Sequence, residues 1–177
     1  GLWCQGLERL GLCFFTMDRL LKHHCPSLQQ HLADEGVELS MFTSRWFVTL
    51  FTSTDVFGRS TSRKIVDMFL VEGWPLLFKL SLGVLLEMRP LLEPTDMEGI
   101  LKITKFPRAH IFGLRRDGTG RRVAGATFEE AMQGSLCEAI RARQMVEHAL
   151  LLHISEETLE KHLVAYRLQK LPNPGSD

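Results

Sequence analysis

The chain has 177 residues, of which 45% are hydrophobic and 24% charged, and its formal net charge is zero. This length fits one domain, or one domain with a short extension, and the apolar content argues against a largely disordered chain. Because 21 Lys and Arg residues balance 21 Asp and Glu residues, the charge does not indicate a uniformly basic surface, and we expect no nucleic-acid partner.

The four cysteines lie in apolar surroundings, and none forms a Cys-x-x-Cys pair. We therefore expect free thiols in an intracellular, cytoplasmic protein. The chain starts at Gly1 rather than Met, as a fragment or a processed chain does, and no secretory signal is predicted. The apolar stretch 74–92 contains Lys79, Glu87 and Arg89, so we predict a buried helix there rather than a membrane span.

Helical periodicity begins near the start of the chain. Between residues 7 and 24, apolar side chains recur three and four positions apart, which predicts an amphipathic helix. Cys25 precedes a proline and should end this helix. Pro26 should begin a second helix, which Gly36 is predicted to terminate.

Residues 40–73 are predicted to form two apolar helices joined by a polar loop at 52–59. Ser40 is the predicted N-cap of the first helix, and Gly73 should end the second. The positions predicted to face inward are Phe42, Trp46, Phe47, Leu50 and Phe51 in the first helix and Ile65, Val66, Phe69 and Leu70 in the second.

The stretch 74–92 is apolar nearly all round, which is typical of a helix at the centre of a helical domain. Pro90 should end or kink it. Thr95 and Glu98 have the spacing of a capping box and predict the start of the next helix, which Pro107 should end.

The character of the chain changes at residue 107. Segment 107–126 contains an Asp-Gly turn signal and is predicted to be an exposed basic loop. A helical extension is predicted at 127–170, with Ser155 capping its last helix, followed by a disordered tail at 171–177. Because no stretch alternates as a strand would, the predicted fold is all-α, with about eight helices.

Four blocks of the sequence resemble, in order, the C-terminal half of a TBC domain, the fold of Rab GTPase-activating proteins. The blocks are GLERL at 6–10, LLKHHCPSLQQHL at 20–32, FTSRWFVTLF at 42–51 and IVDMFLVEG at 65–73. In the last block, Val66 stands where the family usually has Trp. The resemblance implies that residues 1–106 form a multi-helix orthogonal bundle that docks a small GTPase of the Rab type.

Members of this family supply an arginine from an I-x-x-D-x-x-R motif and a glutamine from a Y-x-Q motif to the GTPase. The arginine stabilises the developing phosphoryl charge, and the glutamine orients the attacking water. Neither motif occurs in this chain, and the nearest match to the second motif is the segment WCQG at 3–6, which offers Gln5. We interpret this match as a coincidence and keep a functional Gln5 only as an alternative. No catalytic residue is therefore expected, and the isolated chain should not accelerate GTP hydrolysis.

The resemblance thus implies a GTPase-docking half of an activator, whose missing N-terminal half would be a further partner. The alternative is a non-catalytic helical scaffold with a degenerate TBC fold. The expected partner-binding residues are Arg45, Trp46, Asp67 and Glu72. The simplest interpretation of Trp46 is nevertheless a core residue, and Asp67 could instead pair with Arg45 or Arg63 within the fold.

Four arginines flank the Asp-Gly turn of the basic loop, namely Arg115, Arg116, Arg121 and Arg122. The simplest interpretation is a solvated loop. The sharper hypothesis is that these arginines attract the protein to an anionic membrane, with ~1 kcal/mol of binding free energy per basic residue. Such a protein would be peripheral at endomembranes. The Lys-Ser/Thr of a phosphate-binding loop is missing, so nucleotide binding is not predicted.

We predict neither a cofactor nor a metal. His23, His24 and Cys25 are consecutive residues at a predicted helix end, and consecutive helical side chains point in different directions. Tetrahedral zinc sites need ligands that converge, commonly as pairs such as C-x₂₋₄-C. A basic helix end that interacts with the helix dipole explains the histidines more simply.

Overall fold

The computed structural model describes residues 8–53, 56–105, 107 and 140–170, and the regular structure within these ranges is helical. The helices are α1 (Glu8–His24), α2 (Pro26–Asp34), α3 (Ser40–Thr49), α4 (Arg59–Glu72), α5 (Trp74–Leu92), α6 (Met97–Lys105), α7, described over 140–150, and α8 (Glu156–Lys170). The predicted all-α class is confirmed. Gln5, the four loop arginines and the tail at 171–177 lie outside the described residues.

Helix α5 is the centre of the packing. Leu76, Leu77, Leu82, Val84, Leu85, Met88 and Leu92 are all fully buried. The helix contacts α1, α3, α4, α6 and α8. Burying one apolar side chain of this size stabilises the folded state by about 1.5–3 kcal/mol. The predicted central helix is therefore confirmed. None of the helices in the described ranges is both long and apolar enough to cross a bilayer.

Of the two outcomes predicted for Pro90, an end or a kink of α5, the first is wrong. Pro90 does not end the helix, which continues through it to Leu92. The Glu93 N–H then donates to the carbonyl of Arg89 at 3.0 Å and closes the last turn. A proline removes one backbone donor, and so close to the helix end this loss leaves the following turn intact.

The start of α6 also differs. Gly99 N–H donates to Asp96 Oδ1 at 3.0 Å, so Asp96 rather than Thr95 caps the helix. The hydroxyl of Thr95 instead donates to the carbonyl of Leu92 at 2.8 Å. Both residues are good capping types, and the choice between them depends on how the preceding helix ends. Ser155, by contrast, caps α8 as predicted, because it accepts the N–H of Thr158 at 3.2 Å.

The helices at residues 140–170 pack on the same core as the first six. A Cβ atom built on Gly83 of α5 would lie 2.7 Å from the Cβ of Ala149 in α7, so these two helices touch almost backbone to backbone. Tyr166 of α8 also packs against Phe15 of α1, with tilted rings whose centroids lie 5.3 Å apart. The absence of a side chain at Gly11 leaves room for the Tyr166 hydroxyl.

Candidate partner-binding surface

Helix α3 carries one exposed and one buried member of the predicted partner-binding set. Arg45 is exposed, whereas Trp46 is only 2% exposed and lies in the core. The Trp46 ring stacks on Phe51 at 5.5 Å and meets the edge of Phe42 at 5.6 Å. The core interpretation of Trp46 is therefore confirmed.

The exposed side of α3 borders a groove with α6. This cavity has a volume of about 270 Å³, and its lining includes Arg45, Leu101, Thr104 and Lys105. Phe42 and Trp46 form part of its wall. The groove therefore combines a cationic rim with an apolar floor, a combination that suits the edge of a protein interface.

The turn after α3 fixes the position of the following segment. Leu50 and Phe51 both adopt left-handed backbone conformations, with φ angles of 48° and 61°. Such conformations are uncommon for residues other than glycine. The turn is held because the Phe51 N–H donates to the Trp46 carbonyl at 3.1 Å, and because Ser62 Oγ donates to the Phe51 carbonyl at 3.3 Å. The second bond ties the start of α4 directly to the end of α3.

Helix α4 presents an outer face with both charged and apolar side chains. Asp67 and Glu72 are exposed, and Glu72 lies 3.9 Å from Lys79 of α5. Asp67 makes no ion pair with any residue that the structure describes, so the predicted pairing with Arg45 or Arg63 is not formed. The carboxylate of Asp67 is therefore directed to solvent rather than used within the fold.

Leu70 is a correction to the sequence prediction. We predicted that it faces inward, but it is 79% exposed, and its neighbour Val71 is 86% exposed. Ile65 is buried as predicted, and Phe69 packs against Trp74 at 5.9 Å. Successive residues of a helix are rotated by about 100° around its axis. Because Ile65 and Phe69 face α5, Leu70 and Val71 face the solvent.

The four predicted residues do not form one cluster. Arg45 and Trp46 border the groove between α3 and α6, whose lining includes neither Asp67 nor Glu72. The outer face of α4 is a separate surface, and α3 and α4 are linked through the turn at Phe51 and the Ser62 bond described above. The structure thus offers two neighbouring surfaces rather than a single pocket.

Sequence reasoning missed two surface features. One is the exposed apolar pair on α4, which helical periodicity alone assigned to the core. The other is a basic cleft between α1 and α8, and its lining includes Arg19, Lys22, His23 and His162. The sequence alone does not predict this cleft, because His162 is distant in the sequence from the three residues of α1. The consecutive basic residues Lys22, His23 and His24 could have indicated a basic surface, but the helix dipole explains them equally well at the end of a helix.

The titratable groups near the core do not form a reactive site. Burial raises the pKa of the Cys13 thiol to about 12, although the nearby Arg9 charge acts in the opposite direction. This thiol is therefore protonated and a weak nucleophile at neutral pH. No three His, Cys, Asp or Glu side chains converge as a metal site would require within the described ranges.

The sequence was compared with protein families and with curated proteins. A model of the Rab-GTPase-TBC domain family matches residues 2–92, which include all of helices α1 to α5. The chain is 41% identical over 101 residues to the Rab GTPase-activating protein eat-17 of Caenorhabditis elegans, an alignment that covers 57% of this chain and 11% of that protein.

Two further similarities extend across nearly the whole chain. The human Ecotropic viral integration site 5 protein homolog is 27% identical over 177 aligned positions, which cover 91% of this chain and 21% of that protein. The GTPase-activating protein GYP5 of Saccharomyces cerevisiae is 24% identical over 95% of this chain and 21% of its own length. The chain thus spans about a tenth to a fifth of these relatives.

Proposed function

Because the chain belongs to the Rab-GTPase-TBC domain family, we propose that it binds a small GTPase of the Rab type as part of a GTPase-activating protein. The observation that carries this proposal is the family match over residues 2–92. The relatives eat-17 and GYP5 are both named as GTPase-activating proteins. In this role the chain regulates an enzyme rather than acting as one.

We further propose that this chain supplies docking surface and not catalytic groups. The arginine and glutamine motifs that the resemblance implies do not occur in the sequence, and they would come from an N-terminal half of the domain. A bound GTPase would then hydrolyse GTP at its intrinsic rate. The alternative, a non-catalytic scaffold, predicts the same behaviour of this chain but no such motifs in the full-length protein.

A single-turnover GTPase assay against a panel of Rab proteins tests whether this chain supplies docking surface without catalytic groups. We expect the chain to bind at least one GTPase, measured by calorimetry, without accelerating its hydrolysis of GTP. Adding the N-terminal half should restore the acceleration. Acceleration by the chain alone would contradict the proposal, and its loss in a Gln5→Ala variant would identify Gln5 as the active group. The absence of binding to every member of the panel would contradict the proposed Rab docking, whereas the scaffold alternative is distinguished by the absence of both motifs from the full-length protein.

We propose that the outer face of α4 makes the principal contact with the GTPase. Asp67 is unpaired among the described residues, and Leu70 and Val71 place an apolar pair beside it. An exposed apolar pair with an adjacent charge offers both contact area and orientation to a partner. Arg45 would contact the same partner from the rim of the neighbouring groove, and Trp46 would act only by holding α3 in place.

The α4 face can be tested with a charge-removing variant. We expect Asp67→Asn combined with Glu72→Gln to weaken GTPase binding about tenfold, which corresponds to ~1.4 kcal/mol. Both side chains are exposed, so the unfolding midpoint should hardly change. The matched control is Glu157→Gln with Glu160→Gln, which removes two exposed carboxylates from α8. Equal affinities for the two variants would locate the contact elsewhere.

We also propose that Arg115, Arg116, Arg121 and Arg122 attract the chain to an anionic membrane and keep it peripheral at endomembranes in the cytoplasm. Basic residues near an anionic leaflet each contribute ~1 kcal/mol. Sedimentation with vesicles should therefore show more bound protein when an anionic lipid is present. Replacing the four arginines by serine should abolish that difference, and equal partitioning of the two proteins would contradict the proposal.

A further inference from the structure

The cleft between α1 and α8 collects basic side chains from two helices that are far apart in the sequence. Arg19, Lys22 and His23 come from α1, and His162 comes from α8, with Thr158 beside it. The cleft has a volume of about 580 Å³, which lies within the range of small-molecule sites. The proposed docking surface uses none of these residues.

The cations of this cleft lack counter-ions in the part of the chain that the structure describes. Neither Arg19 nor Lys22 forms an ion pair there. The Arg19 guanidinium instead lies over the Phe15 ring, 4.6 Å from its centroid, which fixes its position without neutralising its charge.

Two carboxylates on the same two helices have partners outside the cleft. Asp18 accepts a hydrogen bond from Gln29 of α2 at 3.1 Å and borders a different cavity. Glu157, in the first turn of α8, pairs with Lys161 at 2.8 Å. The described residues that line the cleft include three basic side chains of α1 and no carboxylate, so its lining is positively charged.

His162 supplies an independent observation. Its Nδ1 atom is buried and has no hydrogen-bond partner among the described residues. Leaving a buried polar atom unpaired costs about 1–3 kcal/mol, and a rearrangement of the imidazole toward a group bound in the cleft would offset that cost. Burial, and then the charge of Arg19, lower the pKa of His162. Arg19 and His162 line the same cleft.

The helix dipole does not account for this arrangement. It explains why Lys22 and His23 are favourable in the last turn of α1. It does not explain Arg19, which lies one turn earlier, or His162, which another helix contributes. Thr158, in the capped first turn of α8, also borders the cleft, and its hydroxyl lies 3.1 Å from Ser155 Oγ.

We infer that this cleft binds a phosphate monoester group. Arg19 and Lys22 would bind the phosphate oxygens through charge-assisted hydrogen bonds. Thr158 and His162 line the same cleft and would add polar contacts to the bound group. The same chemistry serves the headgroup of a phosphorylated lipid and a soluble phosphate, and the experiment below separates the two sources.

Calorimetric titration of the full chain with inositol trisphosphate tests the site in the absence of a GTPase. We expect saturable binding that is at least about tenfold weaker for Arg19→Gln combined with Lys22→Gln. The matched control is Arg63→Gln with Lys64→Gln, which removes two exposed cations from α4 and should leave the affinity unchanged. Because Arg19 packs on Phe15, the pair Lys22→Gln with His23→Gln is a second variant that preserves this packing.

Sedimentation with phosphatidylcholine vesicles, with and without a phosphatidylinositol phosphate, then identifies the source of the ligand. Binding that depends on the phosphorylated lipid and on Arg19 and Lys22 indicates a headgroup. Binding of inositol trisphosphate alone indicates a soluble phosphate. No saturable binding of either probe, or equal loss in the control variant, would overturn the inference. Neither result depends on whether the chain binds a Rab protein.

Discussion

Replacing Trp46 by alanine is expected to lower the free energy of unfolding by about 3–5 kcal/mol, the usual cost of truncating a buried large aromatic residue. Trp46 is 2% exposed and lies between the rings of Phe42 and Phe51. The loss combines the transfer of the indole to water with the cavity that remains. Because aromatic pairs contribute about 0.5–1.5 kcal/mol beyond their buried area, the value should fall in the upper part of that range.

The effect of this substitution should extend along the aromatic cluster. Phe51 packs on Phe57 at 5.4 Å and adopts a left-handed backbone conformation. The stacked indole of Trp46 helps to hold this conformation, so its removal should loosen the turn that ties α3 to α4. Hydrogen exchange should therefore show faster exchange at residues 50–53 as well as within α3.

Urea denaturation followed by far-ultraviolet circular dichroism measures this effect without relying on Trp fluorescence. The control is Met41→Ala on the same helix, because Met41 is 48% exposed and its truncation should change stability by about 0.5 kcal/mol or less. A Trp46→Ala protein as stable as the wild type, but unable to bind a GTPase, would show that the indole belongs to the interface rather than to the core.

Local and periodic signals predicted most of the fold. The apolar stretch at 74–92 identified the central helix, and Ser155 identified the start of α8, since both depend on residues close together in the sequence. The errors arose where two local signals competed. Thr95 and Asp96 are both good caps, and Pro90 lies so near a helix end that the helix continues past it.

The surfaces were harder to predict than the core. Leu70 was assigned to the interior because apolar residues usually lie there, but the rotation of α4 that buries Ile65 and Phe69 leaves it exposed. The basic cleft depends on the packing of α8 against α1, where Tyr166 meets Phe15. No periodicity in a single sequence reports such a contact, because its partners are separated by about 150 positions.

Replacing Gly83 by alanine is expected to lower the free energy of unfolding by about 1–3 kcal/mol, the usual cost of overpacking a close helix contact. The new Cβ atom would lie 2.7 Å from the Cβ of Ala149 and 3.4 Å from its Cα. Neither atom can move without shifting the backbone of α7. In an unhindered helix, the same substitution would instead stabilise by about 1 kcal/mol.

A double-mutant cycle separates this contact from other effects. Ala149→Gly alone should destabilise by about 1 kcal/mol through helix propensity, but it also removes the atom that obstructs Gly83→Ala. We therefore expect the double variant to be no less stable than Gly83→Ala alone, with a coupling energy of about 1–2 kcal/mol. Glu87→Ala, an exposed position of α5, controls for changes to that helix.

The coupling energy between Gly83→Ala and Ala149→Gly decides whether α7 belongs to the core around α5 or is a separable extension. A strong coupling would mean that α7 completes the core around α5, so that truncation before residue 140 would expose the side of α5 at Gly83. Purely additive effects would mean that the two helices do not meet at this point, and α7 would then behave as a separable extension. Thermal unfolding of the four proteins in the cycle, followed at the same wavelength and protein concentration, measures the difference directly.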